Sequence, residues 1–561
     1  MSAGAVDTKE ATHGYDLFYN HKGKLFLVLG SLMVAMLLSA LDQMIFSTAM
    51  PAIVGELDGV SSMLFITVAY ILAVTISMPI YGSLSDVLGR KPLLLIGIAI
   101  FMVGSVVGGL AQDMPILIAG RAIQGAGGGG LMLLAQAVIA DIVPLAKRGK
   151  YMGLLGATFG LSSVLGPLLG GWFTEGPGWR WAFWMNLPLG VIALAAVAIF
   201  LRTPFERIKA KFDIFGTLTM AISVTSLVLF TSWGGATYEW NSPIIIFLIA
   251  AFVAFVGLFV WAESKASEPI IPLKLFKKRS FTISVVAGML IGIVMFGTLG
   301  FLPTYLQMTH ALGATNSGLL LLPLMGGLIV ASIISGQLMT KIKNYKILPI
   351  SGFVLIGASL FLFSTMTPDT SLVMTSIYMT IMGLGIGSSL QILVQIVQQS
   401  VSHRYLGTAT ATSNFSREVG ATLGGSIVGS LFTHKLVSIL AEKLPSGSVA
   451  DSNALTPDVV SGLPDTVRLV IVNAYNDSLT PVFAYLIPLV VVGLIMLFFI
   501  KQKPFIDNEA SIGDEIIDAM IETAPVHTPT AAHDTRGVTP KYVKNKNGKI
   551  VLATSVFSIS D

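Results

Sequence analysis

Four charged side chains lie within long apolar stretches of this 561-residue sequence, and they are the residues best placed to do chemistry. Asp42 interrupts the first stretch, Arg121 the fourth, and the adjacent residues Arg417 and Glu418 the thirteenth. An ionised group at the centre of a bilayer costs about 3 kcal/mol on insertion scales, so such groups are usually paired or functional. A carboxylate in this setting can bind a proton or a cation, which makes Asp42 and Glu418 the first candidates for a site.

The composition explains why these charges stand out. Hydrophobic residues make up 54% of the chain, charged residues make up 11%, and the mean hydropathy is +0.80. Soluble proteins carry about 25% charged residues, so this chain has too few polar side chains to cover a water-facing surface. Apolar runs of about 20 residues, the length of a helix that crosses a bilayer, recur along it. The sequence therefore predicts an all-α membrane protein.

Other kinds of site are not expected. The chain has no Cys, which excludes disulfides and thiolate metal sites. Its basic residues, with a net charge of +4, lie in short loops, so we expect no nucleic-acid partner. The run Gly127 to Gly130 lies inside an apolar stretch and lacks the Lys-Ser/Thr of a phosphate-binding loop. We expect no metal, no cofactor other than a proton as coupling ion, and no enzymatic activity.

Fourteen spans are predicted from the apolar runs. They cover residues 25–49, 64–82, 93–111, 116–140, 150–172, 183–201, 213–233, 242–262, 280–302, 316–340, 348–366, 371–397, 408–434 and 481–500. If the N-terminus is cytoplasmic, twenty-two Lys and Arg residues flank the spans on the inner side and four on the outer side. This excess of positive charge predicts that both termini are cytoplasmic.

A glycine-containing motif fills the loop after the second span. It consists of Gly82-Ser-Leu-Ser-Asp86-Val-Leu-Gly89-Arg90-Lys91, and a degraded copy starts at Gly336, after the tenth span. Internal duplication of this kind is typical of secondary transporters. We expect Gly82 to allow close approach of the opposite half, and Asp86 to accept from a helix N-terminus or a base across the interface. The alternative is an ordinary tight turn with inner-side positive charge.

The loop resembles the signature G-x-L-x-D-x-x-G-R-K of the major facilitator superfamily, and three further stretches resemble its fourteen-helix drug:proton antiporter branch. Leu41 to Pro51 is similar to L-D-x-T-I-V-x-x-A-L-P, and Arg121 to Gly125 is similar to R-x-x-Q-G. The fifth span carries the glycines and proline of the antiporter motif, Gly156, Gly160, Gly166, Pro167, Gly170 and Gly171. The sequence departs from these patterns at Met44, where the branch has Thr, and at Thr340, where the second loop has lost its acid.

The resemblance implies the major facilitator fold, with two pseudo-symmetric six-helix bundles and two inserted helices. The predicted parts are a cytoplasmic N-terminus (1–24), an N-terminal bundle (25–201), the inserted helices (213–262), a C-terminal bundle (280–500) with an external segment (436–480), and a cytoplasmic tail (501–561). Within the external segment, Thr456-Pro457-Asp458 predicts the start of a short helix. Apolar residues from Ile512 to Ile521 predict one amphipathic helix in the tail, followed by a disordered end.

Asp42 and Arg121 lie at similar predicted depths, roughly 10 Å and 8 Å from the outer ends of their spans. We predict that both face one outer cavity of the N-terminal bundle. Burial and the charge of Arg121 act on Asp42 in opposite directions, so a change in water access can make this carboxyl bind or release a proton. The alternative is a permanent buried ion pair that joins the first and fourth spans.

Arg417 and Glu418 are adjacent, so on a helix their side chains point about 100° apart. We expect one of them to face the cavity and the other to face a packing partner. The resemblance implies that Glu418 is a second proton-binding or cation-binding residue, and the alternative is a local salt bridge. Uncharged candidates for a substrate cavity that holds bulky amphipathic molecules are Tyr70, Gln124, Tyr305, Gln391, Gln395, Asn414 and Phe415.

These features together predict a proton-coupled multidrug efflux transporter of the plasma membrane. It would export lipophilic or cationic compounds by alternating access, as a monomer in contact with membrane lipid. Two alternatives stay open at this point. The same fold can export an endogenous lipid or metabolite, and the chain can also be a non-transporting membrane receptor or scaffold that acts through its tail.

Overall fold

A computed structural model describes residues 22–57, 63–143, 145–201, 212–235, 237–310, 319–339, 341–342, 344–443, 460, 463–501, 542–544 and 550–552. Within these ranges, fourteen helices are long and apolar enough to cross a membrane, as predicted. They are α1 (Lys22–Glu56), α2 (Met63–Leu88), α3 (Arg90–Gly109), α4 (Met114–Ile142), α5 (Leu145–Glu175), α6 (Asn186–Phe200), α7 (Ile214–Trp233), α8 (Pro243–Lys265), α9 (Arg279–Leu299), α10 (Leu322–Met339), α11 (Ile347–Ser364), α12 (Leu372–Gln399), α13 (Leu406–Lys443) and α14 (Asp465–Phe498).

Shorter helices extend some of these spans. A single turn, Trp181–Trp184, precedes α6, and Leu302–His310 continues the course of α9. Two 3-10 helices, Leu273–Lys277 and His403–Tyr405, lie just before α9 and α13.

Local sequence explains where several helices begin. The Asp113 carboxylate accepts a hydrogen bond from the N–H of Ile116 (2.9 Å) at the start of α4, and a proline occupies the first turn. Ser242 caps α8 in the same way, directly before Pro243. A capping oxygen satisfies one of the four N–H groups that the first turn leaves free, and proline needs no hydrogen bond there.

The packing repeats with an offset of eight helices. α1 packs on α5 as α9 packs on α13, α2 packs on α4 as α10 packs on α12, and α3 packs on α4 as α11 packs on α12. One apolar core forms mainly within α1–α6 and another within α9–α14. The offset equals six helices of a bundle plus two inserted ones, so the predicted pair of pseudo-symmetric bundles with two additional helices is confirmed.

The inserted helices α7 and α8 lie at the side of the bundles. α7 packs along α2, and α8 packs on α7. The other face of α8 exposes large apolar side chains such as Phe247, Val253 and Trp261, which are 70%, 64% and 57% exposed. An apolar helix that exposes this much surface is suited to lipid rather than to water.

The helices at the end of the chain are longer than the sequence predicts. α13 ends at Lys443 rather than at residue 434, and α14 begins at Asp465 rather than at residue 481. Helices of 38 and 34 residues exceed the roughly 20 that cross a bilayer, so both project beyond it. Polar residues end an apolar run but need not end a helix in water. The predicted helix start at 456–458 lies outside the described residues.

The tail belongs to a second compact unit, Ile506–Asp561. Strands β1 (Tyr542–Lys544) and β2 (Ile550–Leu552) pair antiparallel there, with Tyr542 opposite Leu552. The expectation of a disordered end is therefore wrong for these six residues. The amphipathic helix predicted at 512–521 falls outside the described residues.

Candidate functional site

Asp42 and Arg121 form a buried ion pair between α1 and α4. Arg121 Nη1 lies 2.5 Å from Asp42 Oδ2. Asp42 is 2% exposed and Arg121 is 3% exposed. The same Arg121 nitrogen donates to Gln124 Oε1 (2.8 Å), and Gln124 Nε2 donates to Asp42 Oδ1 (3.1 Å). Both charges are thus hydrogen-bonded, as groups held away from water must be.

Two neutral residues complete this network. Asn186 of α6 donates to Asp42 Oδ1 (2.9 Å), and Ser105 of α3 accepts from Gln124 Nε2 (2.7 Å). The guanidinium of Arg121 lies over the rings of Phe46 and Tyr70, each 4.1 Å from its centroid. Five helices of the N-terminal bundle, α1, α2, α3, α4 and α6, therefore converge on the Asp42 carboxylate and its arginine, and aromatic faces stabilise the cation.

The structure brings Asp42 and Arg121 together but does not place them in an open cavity. Asp42 lies on the side of α1 that faces α4 and α6, whereas its neighbour Gln43 lines the central cavity. α1 also continues to Glu56, so Asp42 lies farther from the end of its helix than predicted. The expectation of an outer cavity around the pair is wrong for this conformation, in which the predicted alternative, a buried ion pair, is formed.

A cavity of about 980 Å³ lies between the two bundles. It is lined by α1, α2, α4 and α5 on one side and by α9, α10, α12 and α13 on the other. The lining residues are Met36, Ser39, Ala40, Gln43, Val74, Met78, Gly128, Met132, Gly156, Phe159, Met295, Phe296, Leu328, Ser332, Leu390, Gln391, Arg417 and Glu418. Four methionines and two phenylalanines give an adaptable apolar surface, and a single carboxylate and a single guanidinium supply charge.

Arg417 and Glu418 both line this cavity, so the expectation that only one of them faces it is wrong. The cavity is wide enough for side chains 100° apart on α13 to reach it. Arg417 Nη2 points across to Met132 Sδ of α4, at 3.7 Å. In the described part of the chain the Glu418 carboxylate has no hydrogen bond, and the charge of Arg417 is the one that acts on it. The predicted local salt bridge is not formed.

The seven uncharged candidates for the cavity lie in different places. Gln391 lines the cavity, and Gln124 and Tyr70 belong to the Asp42 network. Tyr305 donates to Asn476 Oδ1 (2.8 Å) within the C-terminal bundle. Gln395 is buried, and Asn414 donates to Gln136 Oε1 (2.8 Å) across the bundle interface. Phe415 packs with apolar residues of α2, α7 and α8.

The loop motif closes one end of the interface between the bundles. Asp86 Oδ1 accepts from the N–H of Gly407 (2.9 Å), and Oδ2 accepts from the N–H and the hydroxyl of Thr408 (both 2.7 Å). The carboxylate thus caps the N-terminus of α13, where the helix dipole favours a negative charge. A Cβ at Gly82 would overlap Ala411 and the main chain at Gly407, so glycine allows α2 to lie against α13.

The remaining motif residues hold the loop itself. Gly89 has φ = 91°, a conformation that side chains disfavour, and it links α2 to α3. Arg90 pairs with Asp86 (2.6 Å) and with Asp141 (3.2 Å), which fixes the capping carboxylate. Lys91 donates to the carbonyl of Ala198 (2.7 Å) in the last turn of α6, where a cation is favourable.

The glycines of α5 pack against both bundles. A Cβ at Gly156 or Gly160 would meet Ser332 or Ile329 of α10 in the opposite bundle, whereas one at Gly166 would overlap Met44 of α1 in the same bundle. Pro167 lies inside the helix. Thr174 donates to the carbonyls of Gly170 and Gly171, and a Cβ at Gly171 would meet open space. Nearer the end that Asp86 closes, Gly149 touches Gly336 of the duplicated loop. Thr340 lies outside the described residues.

Sequence reasoning missed several residues of these sites. Asn186 is a lone amide in an apolar span and could have been found by asking for buried polar side chains. Ser105 gives no such signal, because serine can satisfy its hydroxyl within its own helix, as it does here with Phe101 O. The methionines that line the cavity cannot be distinguished in sequence from methionines that fill a core.

Two stretches, residues 32–214 and 212–425, match the family profile of the Major Facilitator Superfamily. Together they cover well over half of the chain and include every helix that contributes to the cavity. The chain belongs to the major facilitator superfamily. The resemblance seen in the sequence motifs is thereby confirmed.

Relatives within the superfamily are named as drug transporters. The chain is 38% identical over 517 residues to the multidrug transporter protein MdtP of Bacillus subtilis. The aligned region covers 87% of this chain and 95% of the relative. It is also 38% identical over 492 residues to multidrug resistance protein 3 of the same organism, covering 85% and 95%. A solved superfamily structure, the proton:xylose symporter XylE, matches with a TM-score of 0.59 at 14% identity, covering 86% of this chain and 97% of the symporter.

Proposed function

We propose that this protein is a proton-coupled multidrug efflux transporter, which exports lipophilic and cationic compounds from the cytoplasm by alternating access. The observation that carries the proposal is the central cavity, whose walls are apolar and rich in methionine and whose only carboxylate among the lining residues, Glu418, has no hydrogen bond in the described structure. The Bacillus relatives named as multidrug transporters support the same conclusion.

The chemistry of the cavity favours lipophilic cations among the substrates. Methionine and phenylalanine side chains accommodate different apolar shapes, because thioethers are polarisable and flexible. A buried carboxylate without a hydrogen bond attracts a positive charge, and Arg417 next to it limits that attraction. When the cation leaves, a proton binds the Glu418 carboxylate in its place, and release of that proton to the other side restores the charged carboxylate for the next cycle.

The Asp42 network supplies a second proton-binding group. Asp42 accepts hydrogen bonds from Arg121, Gln124 and Asn186, so its charge is held by groups from two neighbouring helices. Arg121 Nε and Asn186 Oδ1 have no partner in the structure as described, which suits a water molecule that brings or removes a proton. Between this pair and the cavity, Ser39 and Tyr70 are hydrogen-bonded to each other (3.2 Å).

The conformation is closed at the end that carries the loop motif. Asp86 holds α13 there, and Gly149 and Gly336 bring α5 against α10. The positive charge of the connecting loops supports a cytoplasmic location for this end in the proposal, with both termini on that side of the plasma membrane. The structure then represents a state closed to the cytoplasm. Because one chain supplies both walls of the cavity, a monomer in contact with lipid is sufficient for transport.

Proton entry provides enough energy for export. One proton that moves down about 150 mV releases roughly 3.5 kcal/mol, which supports a concentration ratio of a few hundred. Protonation favours one orientation of the bundles and substrate favours the other, so the coupling is a shift between two states.

The test is transport in proteoliposomes of purified protein with an imposed pH gradient. A fluorescent lipophilic cation should accumulate on the acidic side of the membrane, against its own concentration gradient. Collapse of the pH gradient with an ionophore should abolish this accumulation. Glu418→Gln is the matched variant and should lose cation transport. Transport that is indifferent to the pH gradient would contradict proton coupling. Transfer of lipid between leaflets without transport of the dye would favour a lipid exporter.

A further inference from the structure

Two buried carboxylate oxygens converge on one point of the inserted helix pair. Glu263, in the last turns of α8, is 3% exposed, and its Oε1 has no hydrogen-bond partner in the part of the chain that the structure describes. Asp213, directly before α7, has an equally unpartnered buried oxygen, Oδ2. Both atoms lie beside Gly216, where Glu263 Oε1 is 2.9 Å from the position of an added Cβ and Asp213 Oδ2 is closer.

The other oxygen of each carboxylate is already used. Asp213 Oδ1 caps α7 by accepting from the N–H of Gly216 (2.8 Å). Glu263 Oε2 accepts from the N–H of Ile271 (3.1 Å) in the chain that follows α8. These bonds fix both groups, so the free oxygens remain within about 6 Å of each other, the range over which like charges repel strongly. Neither carboxylate can turn away without losing its main-chain bond.

Among the residues that the structure describes, two negative charges in this position would lack compensation. Asp213 is the charged group that acts on Glu263 among the described residues. Lys265, in the last turn of α8, is exposed, and Glu268, in the chain that follows α8, pairs with Arg404 at 2.7 Å. Ile271, whose N–H binds Glu263, belongs to an apolar cluster that also contains Ile76, Met220, Phe259 and Phe415.

We propose that Asp213 and Glu263 form a proton-binding site, in which a single proton is shared between the two free oxygens. One O–H···O hydrogen bond satisfies both atoms and removes one charge. A metal ion fits poorly, because calcium requires six to eight oxygen ligands and magnesium six, and only two carboxylate oxygens are free here. The described residues also contain no group of three metal-binding side chains. This site is separate from Asp42 and Glu418.

The position of this site links it to the gate. Phe212, Glu268 and Pro269 flank it in sequence, and they line a groove together with Asp86 and Thr408. The ion pair of Glu268 with Arg404 ties the same segment to the turn before α13. Release of the proton would leave two negative charges facing each other and push the end of α8 away from the start of α7. This movement would weaken the contacts of the groove with Asp86 and Thr408, which close this end of the bundle interface.

Glu263→Gln is the informative variant, since its amide N–H can donate to Asp213 in place of the shared proton. The purified protein in lipid nanodiscs is unfolded thermally over a range of pH, from acid to alkaline. The native wild type holds a proton that the unfolded chain releases, so its Tm should fall as the pH rises. The variant should match the wild type at acid pH and exceed its Tm at alkaline pH. Asp213→Asn, which keeps the cap, should also flatten the profile.

Infrared difference spectra between acid and alkaline pH give a second readout. The wild type should show carbonyl bands of protonated carboxylic acids, and the Glu263→Gln protein should lose the band that arises from the shared proton. Glu268→Gln, on the same segment, should keep both the band and the pH profile of the wild type. An unchanged band in Glu263→Gln would overturn the proposal. So would a metal-binding result, in which added calcium, magnesium, sodium or potassium raises the Tm of the wild type but not the Tm of Glu263→Gln. Because no substrate is involved, these outcomes do not depend on the transport assay.

Discussion

Asp86 holds Thr408 by two hydrogen bonds of 2.7 Å, one to its main-chain N–H and one to its hydroxyl. The two residues lie 322 positions apart and belong to different bundles. A single side chain of α2 therefore caps the first turn of α13, and the cap exists only while the two bundles are together at this end. In the proposed cycle the motif loop would act as a latch, and its strength would set how readily this end of the bundle interface opens.

Removal of the latch charge should shift the protein toward the open state. In Asp86→Asn, one charge-assisted hydrogen bond to α13 is lost, at a cost of about 1.5–3 kcal/mol, so the ratio of closed to open should fall roughly tenfold or more. The chain has no cysteine, so Ala40→Cys in the cavity can be labelled alone. Labelling by an impermeant maleimide from the cytoplasmic side should speed up in Asp86→Asn. Thr408→Ser, which keeps the hydroxyl, should label like the parent, and an unchanged rate in Asp86→Asn would exclude a latch.

Close contact between Gly149 and Gly336 should be equally sensitive to size. A methyl group at Gly336 would meet the main chain at Gly149, and overpacking of this kind costs about 1–3 kcal/mol. We expect Gly336→Ala to slow transport about tenfold while the protein remains folded. Gly326→Ala on the same helix has open space and serves as the control. Equal loss of transport in both variants would point to damage of α10 itself rather than of the contact.

The Asp42 and Arg121 pair can be tested by removing one charge or both. Asp42→Asn leaves Arg121 buried without its counterion and should lower the free energy of unfolding by about 3–5 kcal/mol. The double variant with Arg121→Gln should recover much of that loss. If Asp42 carries protons, both proteins should fail to move protons with substrate, as measured by a pH-sensitive dye inside proteoliposomes. Proton-coupled transport in the double variant would instead assign the pair a structural role.

The Glu56 end of α1 offers a test of pH-dependent stability. Hydrogen bonds from Arg180 (2.5 Å) and Trp179 (2.7 Å) lower the pKa of Glu56 below its ordinary value of 4.5. A carboxyl whose pKa is lowered in the folded state stabilises the protein at pH values above 4.5. This stabilisation disappears as the pH falls through the lowered pKa. The Tm of Glu56→Gln should therefore lie slightly below that of the wild type at neutral pH, and the two should converge in acid. A constant difference would mean that the charge of Glu56 contributes nothing.

Much of the fold follows from the sequence because a bilayer imposes one length and one composition on every span. The motif loop also predicts that Gly82 brings α2 close to the opposite bundle, and the structure shows that the partner there is α13. The ends of α13 and α14 were not predictable in the same way, since the membrane no longer constrains a helix that has left it.

The sites were predictable only where a charge marked them. Asp42 and Arg121 are expensive to bury, so their proximity could be expected. The orientation of Asp42 away from the cavity depends on the rotation of α1, which the apolar pattern does not fix when a helix is apolar on all sides. Glu263 was missed because it lies at the end of its span, where a charge is ordinary. Only the structure shows that it turns inward.

Glu418 should decide the charge of the substrates. Without this carboxylate the cavity keeps its apolar walls and the positive charge of Arg417, so cations should bind at least tenfold more weakly, a loss of about 1.4 kcal/mol or more, and neutral compounds should be affected little. Binding of a lipophilic phosphonium cation and of a neutral compound of similar size to Glu418→Gln, measured by fluorescence polarisation, checks this. Arg417→Gln is the matched control and should bind the cation more tightly than the wild type. If Glu418→Gln weakens both ligands equally, Glu418 maintains the shape of the cavity or serves the proton step instead.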